Sequence, residues 1–312
     1  MPITLLSAGR YLNVLIALLF AGNAFAETDS SVNHACQEEG IRVQVLGSGG
    51  PEVGDQRASS SYLVWRKDNA EVLLDAGSGS SLRFEQANGR LSDIKAILIS
   101  HFHTDHSSDL VSYIKGAYFS DRVDDLVILG PAGNDQLPAT DAYLRRLLSA
   151  DGLYPYLAGY LQKGREAYVV KPVTITRKKE QHVVANWQFQ SLIVPHGPLP
   201  ALAWRISYGD CSIVYSGDTS DANKQLATFA KAADLLIVHN AISDDAGRIA
   251  RNLHMTPTQI IDVVRQSAAH KVVLSHFMNR SLPTREQTKT RIEDASSSTV
   301  LLAEDLLLIN WP

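Results

Sequence analysis

His101, His103, Asp105 and His106 fall within the six-residue run His101-Phe102-His103-Thr104-Asp105-His106, directly after the apolar segment Ala96-Ile97-Leu98-Ile99. Imidazole and carboxylate donors of this kind suit zinc and related borderline cations. With the further donors found downstream they exceed what one tetrahedral ion needs, so the pattern asks for two ions. Paired divalent metals make hydroxide from water at neutral pH and clamp a reacting ester, which is hydrolytic chemistry. The competing explanation is an exposed polar loop that happens to be rich in histidine. Three of only ten histidines in 312 residues sit in this hexamer, which argues against it.

Three later segments end apolar runs in the same way. His196 follows Ser191-Leu192-Ile193-Val194-Pro195, Asp218 follows Ser212-Ile213-Val214-Tyr215-Ser216-Gly217, and His276 follows Val273-Leu274-Ser275. Taken singly, a histidine after a strand is usually a loop residue. Their joint occurrence is specific, and rigid strand ends suit donors whose geometry tolerates errors of only tenths of an ångström.

The hexamer resembles the signature of the metallo-β-lactamase superfamily, and the resemblance extends from about Ile41 to the C-terminus. It implies an α/β fold, the metallo-β-lactamase αββα sandwich of two facing mixed sheets with helices outside. It also implies a role for each donor: His101, His103 and His196 on one metal, Asp105, His106 and His276 on the other, and Asp218 bridging both. Zinc is the expected cofactor, as two divalent ions, with manganese or iron as alternatives. Leu73-Leu74-Asp75-Ala76-Gly77 is similar to the family's L-D-x-G turn, whose carboxylate holds the ligand imidazoles from behind; an ordinary Asx turn is the alternative. The glycine-rich Leu46-Gly47-Ser48-Gly49-Gly50-Pro51 lacks the Gly-Lys-[Ser/Thr] of a nucleotide loop and reads as a tight turn near the site.

His254-Met255-Thr256-Pro257 opens a helix, with Thr256 as cap and Pro257 in the first turn. It resembles a motif shared by ribonuclease Z and the arylsulfatase-like branch, which implies that His254 bonds the scissile ester and protonates the leaving oxygen. Asp105 and His254 are thus the expected catalytic pair; a surface histidine capping the loop is the alternative for His254. Ribonuclease Z pairs that histidine with the Glu of an H-E-A-T motif. Here the segment reads Val238-His239-Asn240-Ala241-Ile242, so Asn240 would orient the imidazole without adding charge.

Two departures separate the chain from ribonuclease Z. The stretch from His196 to Asp218 reads as two strands with a turn at Ser207-Tyr208-Gly209-Asp210, leaving no room for the tRNA-gripping arm of that family. Instead Pro200-Ala201-Leu202-Ala203-Trp204-Arg205 resembles the arylsulfatase-like members. The net charge of −4 also lacks the basic excess of a polyanion binder. The expectation is a hydrolase of sulfate or phosphate esters with a small anionic substrate and no nucleic-acid partner. The alternatives are phosphodiesterase or ribonuclease Z-like activity, then β-lactam hydrolysis, then a non-catalytic periplasmic binding protein. Arg205 and Arg280 are candidate partners for an anionic substrate. Nothing in the pattern specifies an oligomer.

Residues 1–26 read as a secretory signal, with Arg10 before the apolar Tyr11–Phe20 and an Ala24-Phe25-Ala26 cleavage site. The apolar run is short for a membrane anchor, so a periplasmic or extracellular location is expected. Residues 27–40 read as a linker and 41–312 as one hydrolase domain. Cys36 and Cys211 could form a disulfide in that compartment, and their spacing leaves the pairing open.

Strands are predicted at Ile41–Leu46, Ser61–Trp65, Glu71–Leu74, Ala96–Ile99, Leu126–Leu129, Tyr168–Thr176, Trp187–Ile193, Ala201–Ile206, Cys211–Tyr215, Leu235–Val238, Lys271–Leu274 and Leu306–Ile309. Helices are predicted at Ser107–Phe119, Asp141–Leu148, Ala222–Ala232 and Pro257–Ala269. The tyrosine-rich stretch from Gln136 to Tyr168 is either a cap whose aromatics meet a substrate or a helical insert packed on the surface or forming a dimer contact.

Overall fold

The computed structural model describes residues 34–311; the secretory segment read over residues 1–26 lies outside them. Strands β1 (Ile41–Gly47), β2 (Ser61–Arg66), β3 (Asn69–Leu74), β4 (Ala96–Leu98), β5 (Leu126–Pro131) and β6 (Val170–Ile175) form one sheet. A second contains β7 (Lys179–Val184), β8 (Trp187–His196), β9 (Leu199–Tyr208), β10 (Cys211–Tyr215), β11 (Leu235–His239), β12 (Lys271–Ser275) and β13 (Thr299–Leu302). β14 (Leu308–Ile309) returns to pair antiparallel with β1. Both sheets are mixed: β1 to β3 and β7 to β10 pair antiparallel, whereas β3 to β6 and β10 to β13 pair parallel.

Parallel neighbours need crossover connections, and the helices supply them: α2 (Ser80–Gln86), α3 (Thr104–Ser107), α4 (Leu110–Gly116), α5 (Thr140–Leu148), α6 (Leu226–Phe229), α7 (Arg248–Leu253), α8 (Pro257–Ser267) and α9 (Arg285–Ala295), with α1 (His34–Glu38) ahead of β1. Because successive strand residues face opposite ways, Val64, Leu74 and Leu98 join Phe189, Ala203 and Ile213 in one buried cluster between the sheets. Their neighbours Leu63, Leu73 and Ile97 join Phe84, Tyr113 and Leu144 of the helices in another. The result is the expected sandwich with helices outside. β10 and β11 are buried along their whole length, which is why they read as continuous apolar runs rather than alternations.

Several elements differ from their expected extents for local reasons. The helix expected over Ser107–Phe119 is broken into α3 and α4. Ala76 pairs with the carbonyl of His106 and the N–H of Asp109, drawing both out of the helical ladder. α6 is shorter than Ala222–Ala232 because Asp221 and Lys224 have positive φ and the Asp221 carboxylate caps the N–H groups of Gln225 and Leu226. β7 is a charged edge strand with half of its residues exposed, the usual dress of an unpaired edge, and α9 buries only Thr288 and Ile292; neither carries a strong periodic signal.

α1 lies in the stretch read as a linker, and its Cys36 is disulfide-bonded to Cys211, the first residue of β10. The bridge closes a loop of sequence separation 175 and is buried. Closure of a long loop restricts the unfolded chain, so Cys36→Ser should cost about 2–5 kcal/mol of stability. Thermal melts of the variant, and of the wild type with reductant, check this; an unchanged melting temperature would refute it. No helix among the described residues is long and apolar enough to cross a membrane.

Candidate metal centre

The carboxyl ends of the parallel strands deliver the expected donors to one place, as open α/β sheets generally do. His101 follows β4, Asp218 follows β10 and His276 follows β12, while His196 is the last residue of the antiparallel β8. His101, His103, His196 and Asp218 form one group whose ligand atoms lie within 4.8 Å of each other. His106, Asp218, His239 and His276 form a second. Asp105 stands beside the second group, with Oδ2 3.4 Å from His106 Nε2 and 3.2 Å from His276 Nε2. Asp218 is common to both.

Hydrogen bonds on the far side of each ring fix which nitrogen faces inward. His106 Nδ1–H donates to Asp75 Oδ2 at 2.7 Å, and His196 Nδ1–H donates to the Leu253 carbonyl at 2.8 Å. Ser100 Oγ donates to Asp75 and therefore accepts from His101 Nδ1–H at 3.1 Å. In each ring Nε2 then carries the lone pair. All three Nε2 atoms are buried without a hydrogen-bond partner among the described residues. They face the Asp218 Oδ2 atom at 3.9, 3.6 and 3.9 Å for His101, His106 and His196. Three lone pairs around an anionic oxygen repel one another unless a cation lies between them. Separations of this size are what a cation with bonds of about 2.0–2.2 Å spans. The donors therefore fit divalent metal ions.

Electrostatics agree. Burial acts against charge on His106, but Asp105, Asp218 and Asp75 outweigh it and hold the imidazole well above its ordinary value, so this position draws positive charge, which a metal on Nε2 would supply in place of a proton. Burial likewise opposes ionisation of Asp218, yet His276, His254 and His106 keep its carboxyl well below the usual range. Asp105 is also held low, chiefly by His106 against the cost of burial.

Asp75 sits at φ 55 in the turn after β3 and is fully buried. It accepts from Ser100 N–H, Ser100 Oγ, His106 Nδ1 and Tyr215 Oη at 2.6–2.7 Å. It is a hub behind the ligands rather than a simple turn residue. Close backbone approach explains two glycines. A Cβ on Gly217 (φ +55) would meet the Leu202 carbonyl and Ser100 Cβ at 2.8 Å, and one on Gly50 would meet His276 Cε1 at 2.7 Å.

His254 lies at the end of α7, buried, with Nδ1 3.7 Å from Asp218 Oδ1. The helix that follows has the expected Thr256 cap, completed by Gln259 as a capping box. Burial lowers the His254 imidazole to about 3, so near neutral pH it is an uncharged hydrogen-bonding group rather than a stored proton. Asn240 does not take the expected part: neither of its side-chain atoms, nor His254 Nδ1, has a hydrogen-bond partner among the described residues. Arg205 is also displaced from its expected place, since its guanidinium is spent on the carbonyls of Phe229 and Lys231 and on Ser212. The stretch from Gln136 to Tyr168 is a packed insert rather than an aromatic cap. Tyr160 and Tyr168 are buried, and Tyr143 stacks on Phe102 with ring centroids 4.0 Å apart.

Sequence reasoning missed Ser100, Tyr62, Tyr215 and His239. His239 is fully buried beside His276, with ring centroids 4.5 Å apart, and burial lowers it to about 3. It carries the signal that marked His196 and His276, a histidine closing an apolar strand.

A family model described as "Beta-lactamase superfamily domain" matches residues 70–277. Ribonuclease Z of Methanosarcina acetivorans is 26% identical over 309 residues, covering 87% of this chain and 98% of that protein. Among solved structures, the metallo-beta-lactamase fold protein YhfI from Bacillus subtilis gives a TM-score of 0.68 at 20% identity, covering 86% of this chain and 98% of that one. The short form of human tRNase Z gives 0.63 at 18% identity, covering 87% and 99%. At such identities the structural likenesses speak for the fold alone. Two of these three proteins are named for RNA cleavage and none for sulfate-ester hydrolysis, so the arylsulfatase-like expectation finds no support in them.

Proposed function

The chain belongs to the β-lactamase superfamily, and on that footing we propose that it is a metal-dependent hydrolase of phosphodiester bonds. The observation that carries this is the convergence of three orphaned imidazole lone pairs on Asp218. The choice of a phosphodiester over a sulfate ester leans on the relatives named ribonuclease Z. A small anionic diester is favoured over a large RNA because β8, β9 and β10 are joined by two tight turns, with no arm between His196 and Asp218.

His101, His103 and His196 would hold one metal, Asp105, His106 and His276 the other, with Asp218 between them. Zinc is the expected ion, with manganese or iron as alternatives. When bound, two such cations supply Lewis acidity and bring the ionisation of water towards neutral pH. Asp105, ionised and facing the site, is the base placed to take a proton from an attacking water. His254, uncharged, donates a hydrogen bond to the leaving oxygen. Arg280 is exposed, its Nε–H anchored on the Ala241 carbonyl at 3.0 Å and its Nη2 on Met278 Sδ at 3.2 Å, which leaves Nη1 to meet the substrate's negative oxygen. Arg280→Ala should raise KM about 10-fold or more, the scale of one charged hydrogen bond, with a smaller change in kcat. Steady-state kinetics with an unchanged KM would remove Arg280 from substrate binding.

An oxidising compartment outside the cytoplasm is part of the proposal, supported by the signal-like residues 1–26 and the buried Cys36–Cys211 bridge. The test is turnover by the zinc-loaded chain of an aryl phosphodiester, an aryl sulfate, a precursor tRNA and a cephalosporin. Diester turnover that collapses in His254→Ala supports the proposal. Preference for the sulfate, the tRNA or the cephalosporin would replace it with that activity, and no turnover with two metals bound would sink it.

A further inference from the structure

We propose that His239 is a positioning residue: its Nδ1–H holds the Asp218 carboxylate at the angle that serves both metal groups. This rests on the reading that Asp218 binds metal. Asp218 Oδ2 faces His101, His106 and His196, whereas Oδ1 faces His276 Nε2 at 3.4 Å and His239 Nδ1 at 2.6 Å. Asp218 Oδ2 faces donors of both metal groups, and a rotation of the carboxylate plane would carry it off them. The contact from His239 is the one side-chain hydrogen bond to Asp218 among the described residues, and it resists such rotation.

The tautomer follows from the partners. An ionised carboxylate only accepts, so the hydrogen lies on Nδ1, and Nε2 keeps the lone pair. Nε2 points away from the metal groups towards Tyr62 Oη at 3.3 Å, a hydroxyl that donates to Ser275 Oγ at 2.7 Å. Ser275 precedes the ligand His276, and Tyr62 is fully buried on β2. The ring is further confined by Tyr215 at 5.3 Å and His276 at 4.5 Å between centroids. His239 is therefore confined by these rings, with its donor aimed at one carboxylate oxygen. Its ligand atom also falls within the second donor group. Direct coordination would require Nδ1 to give up its hydrogen and its bond to Asp218, so the positioning role is preferred.

Two variants separate these roles. Asn places an amide N–H near the position of His Nδ1, whereas Leu fills the space without a donor. In equilibrium titrations of the metal-free chain, His239→Leu should bind zinc about 10–100-fold more weakly at one or both sites, the scale seen when such supporting groups are lost. His239→Asn should stay within a few-fold of the wild type. With cobalt in place of zinc, His239→Leu should alter the visible spectrum and His239→Asn should restore it. Wild-type zinc affinity in His239→Leu would overturn the proposal, as would equal loss in both variants, which would make the ring itself a ligand. If His239→Leu fails to fold, nitrogen-15 spectra of the zinc-loaded wild type decide: a protonated, uncoordinated Nδ1 on His239 supports the proposal and a coordinated one overturns it. A wild-type chain that binds no zinc would instead remove the underlying metal reading.

Discussion

Asp218→Ala is expected to lose turnover by about 10⁴-fold or more, because both the water-activating and the ester-clamping parts of the chemistry depend on it. Among the described residues no other carboxylate belongs to both donor groups. Its oxygens stand 3.4–3.9 Å from the inward nitrogens of His101, His106, His196 and His276, and without them those imidazoles would surround uncompensated positive charge. Zinc content should fall below two per chain, and the rise in melting temperature that metal gives the wild type should shrink with the logarithm of the affinity lost. Asp218→Asn keeps the volume but not the charge and should lie close to Ala rather than to wild type. Elemental analysis of the purified variants, alongside diester turnover, checks both parts. Two tightly held metals and a wild-type rate in Asp218→Ala would end the bridging assignment.

What could be seen in the sequence was the set of donors that close apolar runs. His101, His196, Asp218 and His276 each follow residues that can only be buried strand, so type and place were legible together. The sheet layers were legible for the same reason: paired apolar residues such as Leu63 and Val64, or Leu73 and Leu74, are buried on opposite faces. The helices were less legible, because Ala76 and Asp221 interrupt them through contacts that depend on the fold. The role of His239 is not marked out in the sequence, because only the approach of β10 to β11 places the Asp218 loop next to that strand's end. Ser100, Tyr62 and Tyr215 carry no pattern at all. A buried hydroxyl is informative only once its partner is known, and here the partners come from other strands.

Those hydroxyls give the second large effect, which falls on Asp75. Three donors meet on Asp75 Oδ2, from Ser100 Oγ, His106 Nδ1 and Tyr215 Oη, while Oδ1 takes the Ser100 N–H. Burial first, and then the facing Asp75 carboxylate, push the Tyr215 hydroxyl well above its ordinary value, so it remains a donor. Asparagine cannot serve this arrangement. Turned either way, its NH₂ points at a donor, and one buried group is left unpaired. Asp75→Asn should therefore cost about 3–5 kcal/mol of stability, as for a broken buried charge pair, and weaken zinc binding about 10–100-fold. Tyr215→Phe removes one donor and leaves the carboxylate satisfied by the others, so about 1–2 kcal/mol is expected. The second metal should be the more affected, because His106 bonds Asp75 directly while His101 is reached only through Ser100. Denaturant unfolding of the metal-free chains measures the first effect, and stepwise zinc titration the second. If Asp75→Asn proves no more costly than Tyr215→Phe, the carboxylate is only a turn residue. If both metals weaken equally, Ser100 relays its support to His101 as effectively as the direct bond serves His106.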